Sequence, residues 1–200
     1  KVWGAMVPYG QVWRAGANTN TTVSFSTPVT VDGKPLPEGI YGLHTIPTEK
    51  EWTVIFSKQH QAWGSFTYDA KEDALRVTVT PQATSDVAER LAYTFDDLTA
   101  SSAVLSLRWE KLRVPVKIAV DLPKTVTENL ADQLRGIPNF DPPSWNQGAT
   151  WLVNNGGDLA TARKWVDTSI DRRKTAAALL TKATILEKTG DAAGAAALRA

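Results

Sequence analysis

Along the first 120 positions, apolar residues recur with a period of two. Leu75, Val77 and Val79 alternate with Arg76, Thr78 and Thr80, and Leu91, Tyr93 and Phe95 alternate in the same way. Ala103, Leu105, Leu107 and Trp109 share one side of a strand and Ser106 and Arg108 the other; Val114, Val116, Ile118 and Val120 then run against Lys117. Successive strand side chains point to opposite faces, so this pattern puts one face on a core and the other toward water. Shorter strands precede these: Val23-Ser24-Phe25, Val29-Thr30-Val31, Ile40 to Ile46, and Trp52 to Phe56. Thr27-Pro28, Asp32-Gly33, the run Pro35, Pro37 and Gly39, and Glu49-Lys50-Glu51 separate them. Asp32-Gly33 is a strong tight-turn signal. Pro115 predicts that the last strand is an edge or begins only after it, because proline donates nothing to a ladder. Eight or so short strands with no helical pattern between them predict a mainly β fold over residues 1–120. Two packed antiparallel sheets, a β-sandwich, are expected; a partly closed barrel is the alternative, since alternation does not report closure.

Beyond residue 120 the period changes. Residues 121–143 read as a linker containing Pro123, Pro138, Pro142 and Pro143. A short helix is expected around Thr127–Arg135, with Thr127 as cap and Leu130 and Leu134 on one face. Residues 144–200 read as stacked helices rich in alanine. Ser144-x-x-Gln147 is a capping box, and the two prolines before it are expected to stop the helix from extending backward. Trp145, Ala149, Leu152 and Val153 make its stripe, and Asn154-Asn155-Gly156-Gly157 ends it. Asp158 caps the next helix, striped by Leu159, Ala162, Val166 and Ile170; a third runs from about Lys174 to Lys188. Gly157-Asp158-x-x-x-Ala162 recurs 33 residues later as Gly190-Asp191-x-x-x-Ala195. The spacing is close to that of tetratricopeptide-type helical pairs, and a plain helical appendage explains it almost as well. A final helix reaching Ala200 would leave an apolar face open to more chain or to a partner.

Composition narrows the functional classes. Of 200 residues, 42% are hydrophobic and 22% charged, as in a folded protein. Lysine plus arginine number 22 and aspartate plus glutamate 21, evenly spread over both halves. Neither half has the basic surplus of a nucleic-acid-binding surface. With no cysteine, thiolate nucleophiles, disulfides and cysteine metal sites are excluded. No apolar run reaches membrane-spanning length, so no transmembrane segment is expected. The chain opens at Lys1-Val2-Trp3-Gly4 without an initiating methionine, which is compatible with a removed export signal.

Candidate chemistry is sparse. Arg14, between Trp13 and the Gly16-Ala17-Asn18 turn, is a candidate for holding a carboxylate or phosphate, or for stiffening the turn by stacking or by an internal ion pair. Asn18 and Asn20 are candidates to present amides to a sugar or peptide; Asn18 equally satisfies its own turn. His44 is one of two histidines and shares a strand face with Ile40, Gly42 and Ile46. It is a candidate base or metal ligand, but only His60 offers a second imidazole and no close histidine–carboxylate spacing joins them. The acidic pairs Glu49/Glu51 and Asp96/Asp97 sit in polar turns and read as solvated loops. No Gly-x-Ser-x-Gly elbow and no glycine-rich nucleotide loop occurs, so no cofactor and no metal site are expected. Trp63 and Phe66, with Tyr68, lie between strands and are candidates for an aromatic glycan or peptide platform, or for a lid on the open end of the sandwich.

Several runs resemble one family. Val7-Pro8-Tyr9-Gly10-Gln11-Val12-Trp13-Arg14-Ala15-Gly16-Ala17-Asn18, Leu36 to Pro47, and Trp52 to Phe56 are similar to segments of DUF2911 proteins. Trp63-Gly64, Tyr68-Asp69, Leu75-Arg76-Val77 and Phe95-Asp96-Asp97-Leu98 add to the likeness, which covers about residues 1–120. It departs at Thr19, where the pattern commonly has an acidic residue nearby. The resemblance implies an exported or lipid-anchored bacterial protein, periplasmic or outer-membrane-associated, often with a helical tail; it implies no activity. The reading reached from sequence is a non-catalytic envelope binding or scaffold module for a glycan, peptide or protein, with Arg14, Asn18, His44 and Trp63 as ligand-binding candidates. Its helical tail is expected to contact a protein through an apolar groove. The alternative is a hydrolase using His44 with Arg14 in a cleft, which requires His44 to be reachable from solvent.

Overall fold

The computed structural model describes residues 1–199, and the chain divides into two units at Val120/Asp121. The first holds eight strands: β1 (Thr21–Phe25), β2 (Val29–Val31), β3 (Lys34–Leu36), β4 (Gly39–Pro47), β5 (Trp52–Ser57), β6 (Asp73–Val79), β7 (Gln82–Asp96) and β8 (Ser102–Ala119). They form two antiparallel four-stranded sheets, ordered β1-β4-β5-β6 and β3-β2-β8-β7. The expected sandwich is therefore present and is not closed into a barrel. Its core is made by the alternating positions: Leu43, Val54, Phe56, Val77 and Val79 from one sheet meet Val31, Leu36, Leu105, Leu107, Val114 and Val116 from the other. Four indoles join this core, Trp3, Trp13, Trp52 and Trp109, with ring centroids 5.0–6.5 Å apart where they meet.

Asp32-Gly33 makes the two-residue hairpin expected of it. Val31 pairs with Lys34, and Asp32 (φ 46°) and Gly33 (φ 78°) both take the left-handed conformation that matches strand twist. The expectation for Pro115 is corrected. The two apolar runs on either side of it are one 18-residue strand, β8, and that strand is internal to its sheet. Pairing with β7 ends at Arg113, and pairing with β2 begins at Ile118. Pro115 falls in the interval, where no ladder donor is required of it. Sequence period alone does not say where partners change over. Phe95 also departs from its alternation and is 59% exposed.

The second unit has five helices: α1 (Leu122–Gln133), α2 (Pro142–Asn154), α3 (Leu159–Arg172), α4 (Ala176–Lys188) and α5 (Ala192–Arg199). Residues 121–143, set apart from sequence as a linker with a short helix, fold as α1 and a 3-10 turn over Ile137–Phe140. Asp121 rather than Thr127 caps α1. The capping box at Ser144 is corrected too: Asp141 is the cap, and Pro142 and Pro143 form the first turn of α2. Proline has no N–H to lose there and its fixed φ suits the turn, so the pair starts the helix instead of blocking it. Asp158 caps α3 and Thr175 caps α4. Ala149, Leu152, Ala162, Val166, Ala178 and Ile185 make the interior. The two copies of the Gly-Asp repeat adopt matching roles. Asp158 accepts from the Thr161 N–H and Asp191 from the Gly194 N–H, while Ala162 and Ala195 are both buried. No described helix is long and apolar enough to cross a membrane.

Candidate functional site

Two segments far apart in sequence, residues 14–20 and 59–68, meet at one end of the β1-β4-β5-β6 sheet. The first is pinned at both ends. The Trp13 N–H donates to the Thr45 carbonyl and the Thr45 N–H to the Trp13 carbonyl, each at 2.8 Å, so residue 13 occupies the edge of β4. Ala15 is fully buried with φ 51°, and its carbonyl accepts from the Tyr93 hydroxyl at 2.7 Å and the Thr21 hydroxyl at 3.1 Å. A left-handed alanine costs about 1–3 kcal/mol and persists only where neighbours over-determine it. Arg14 is therefore held between two fixed residues.

Asn20 ties the second segment down. Its N–H donates to the Ala62 carbonyl at 3.0 Å, Thr19 bridges to Trp63, and its side-chain amide reaches the Gln59 carbonyl at 3.4 Å. Beneath them lies Gly42, where an added Cβ would stand 2.2 Å from the Asn20 amide and 2.4 Å from the Gln59 carbonyl. Only glycine admits both groups. The result is a roof over the outer face of β4, which a two-period reading leaves facing water.

His44 lies under that roof. It is 2% exposed, its Nδ1 is 2.8 Å from the Ser65 hydroxyl, and its ring is 5.3 Å from that of Tyr68. Burial lowers its pKa, against the opposing pull of the Asp73 carboxylate, so the ring is neutral at neutral pH. The Tyr68 hydroxyl donates to Asp73 at 2.7 Å, and Arg76 closes the group by pairing with Asp73 and donating to the Tyr68 oxygen. Burial, together with the bond to Asp73, pushes the phenol up to about 12. The sequence pattern names neither Ser65 and Asp73 as neighbours of His44 nor Arg76 as the group that holds Asp73. Alternation shows Arg76 pointing away from the core but not what it meets there.

Above the roof the surface changes. Trp63 is 62% exposed and Phe66 83%. Both flank Gly64, which has φ 68°; a Cβ there would lie 3.3 Å from the Phe66 ring and 3.4 Å from Arg14 Nη1. The Arg14 guanidinium thus sits beside the aromatic loop. Its Nε is buried without an acceptor, and no carboxylate lies within ion-pair distance of it among the described residues. Asn18 is exposed at φ 65°, one residue before the Thr19–Trp63 bridge.

Of the four residues singled out from sequence, Arg14 and Trp63 lie on this rim, Asn18 borders it, and His44 is sealed below it. Other candidates lie elsewhere. Glu49 and Glu51 are in the exposed β4–β5 turn, and Asp97 pairs with Arg113. Asp96 accepts from Ser106 and Arg108, which hold its carboxyl down at about 2. No group of three or more histidine or acidic side chains is arranged to hold a metal among the described residues. The sandwich interior offers about 20 Å³, beside Thr45 and Tyr93, room for a water and not for a ligand.

Comparison with known proteins gives one match. The family model described as "Protein of unknown function (DUF2911)" matches residues 1–118, the β-sandwich unit almost entire, and leaves the helical unit outside it. No curated protein and no solved structure matches. With more than half of its length covered by that model, this chain belongs to the DUF2911 family.

Proposed function

We propose that the β-sandwich unit is a non-catalytic binding module of the cell envelope, which holds a glycan on the rim formed by Arg14, Trp63 and Phe66. One observation carries this reading. Two large aromatic side chains stand exposed on a loop that backbone hydrogen bonds hold in place, beside a guanidinium with no internal counter-ion. Rigid aromatic faces give contact area at little entropic cost, and a few fixed polar groups orient what lands on them. The envelope location rests on the likeness to exported and lipid-anchored bacterial proteins.

His44 supports a structural role better than a catalytic one. A general base must reach the proton it takes, and at 2% exposure His44 reaches Ser65 instead. The hydrolase reading therefore needs the 59–68 roof to open. The helical unit we read as a tetratricopeptide-like scaffold for a protein partner. Its support is the repeated Asp cap with buried alanine, and an open groove of about 420 Å³ lined by Val126, Leu130, Leu134 and Trp151.

The test is to screen the whole chain against arrayed glycans and peptides, then to repeat it with Trp63→Ala and Phe66→Ala together. Loss of glycan binding with an unchanged melting temperature is expected. Turnover of any arrayed ester, amide or glycoside that disappears in His44→Gln would establish the hydrolase instead.

A further inference from the structure

We infer that the rim ligand is an acidic saccharide, whose carboxylate is taken by Arg14 while its ring lies against Trp63 and Phe66. This rests on the rim being a glycan-binding surface and adds the chemical class of the glycan.

The argument begins with charge. Residues 14–20 and 59–68 contain one arginine, Arg14, with His60 the other basic side chain, and no aspartate or glutamate. The nearest acids along the chain are already engaged: Asp69 accepts from the Lys71 N–H, and Asp73 is held by Tyr68 and Arg76. A guanidinium is always charged, and its planar fork suits a carboxylate. Here it is half-buried, with one N–H covered and unbonded and Nη1 turned to Gly64 between the aromatic residues. Folding gains nothing from leaving a buried donor unpaired. A single unopposed positive charge matches a monoanion, whereas a phosphate dianion calls for more than one cation.

The rest of the rim indicates a sugar rather than a peptide. One way an extended peptide binds is by adding a strand to a free sheet edge. At this end the edge positions are taken, β4 by Trp13 and the Thr19 position by Trp63. What remains exposed is two aromatic rings and the neutral polar groups of Asn18, Gln61 and Thr67. Those groups suit hydroxyls.

The experiment is calorimetric titration of the whole protein with a panel of carboxylated oligosaccharides (uronate, sialylated and muramyl). The same compounds with the carboxylates methyl-esterified, neutral oligosaccharides and a glutamate tripeptide complete it. The expected result is binding of at least one carboxylated member, weakened roughly 10- to 100-fold by esterification. Arg14→Gln should show the same loss and no longer distinguish acid from ester, with no drop in melting temperature. Equal binding of acid and ester, or unaltered binding by Arg14→Gln while Trp63→Ala abolishes it, overturns the acidic assignment and leaves the rim standing. Binding of the tripeptide alone, of nothing in the panel, or binding insensitive to Trp63→Ala overturns the rim as well. If Arg14→Gln unfolds the protein, Arg14 is structural and the assignment fails; the esterification arm reads the same question on unmutated protein.

Discussion

The two units of this chain treat local rules differently. In the helical unit all five helices begin on a side chain that caps them, Asp121, Asp141, Asp158, Thr175 and Asp191. Positive φ is confined there to Gly156 and Gly190 among the described residues. In the β unit all five non-glycine residues of positive φ among the described residues occur, Ala15 and Asn18 among them; buried polar atoms without partners occur in both units, four in this one and, on Asn146, in the helices as well. Three of those four, on Arg14, Asn20 and Thr45, belong to the rim, the roof or the strand edge that anchors them. Departures of this kind cost free energy, and a folded chain tolerates them chiefly where it does its work. The contrast supports placing the proposed recognition site in the sandwich.

Three substitutions bear on that contrast. The largest effect belongs to the sandwich interior: Trp52→Ala removes a buried indole packed against Trp3 and Trp13 and should cost about 3–5 kcal/mol in denaturant unfolding. A cost under about 1 kcal/mol would mean that the indole cluster is ornament to the core. Next comes Ala162→Leu, which forces a larger side chain into a fully buried helix contact and should cost about 1–3 kcal/mol. If it is neutral, the repeated small residue is not what sets helix spacing.

The smallest effect is a slope. His44 has a folded pKa below its unfolded value near 6.5, so the unfolded state binds the proton first as pH falls. Its contribution is intact above about pH 6.5 and declines as the medium is acidified toward the folded pKa. Asp73 faces the ring and opposes the shift without reversing it. Melting temperatures recorded from pH 7.5 to 5 should fall less steeply in His44→Gln than in the parent protein. Identical slopes would place His44 in contact with solvent.

Much of the architecture is legible from residue order. Leu75, Val77 and Val79 announce β6 because alternation reports burial on one face, and Asp32-Gly33 announces its hairpin because few pairs tolerate two left-handed residues. Pro115 misleads, since its missing donor matters only where a partner is present, and partners are a property of the whole sheet. Pro142 and Pro143 mislead because the same residue that stops a helix from within opens one at its first turn. Arg14 and Trp63 stand out by type. Their meeting does not, because the junction is made by backbone groups, the Asn20 N–H on the Ala62 carbonyl and the Thr19–Trp63 bridge, which leave no side-chain signature. The burial of His44 is hidden for the same reason: the roof over β4 depends on Gly42 leaving space for Asn20 and Gln59, a contact across 39 residues.

The most direct test is a nitrogen–proton correlation spectrum of the whole protein, with its eight tryptophan indoles assigned, recorded with and without the tightest-binding carboxylated oligosaccharide. The account predicts that the Trp63 indole and the Arg14 Nε–H signals move on saturation while those of Trp3, Trp52 and Trp109 stay in place. Shifts confined to Trp145, Trp151 and Trp165, with Trp63 unmoved, would contradict it.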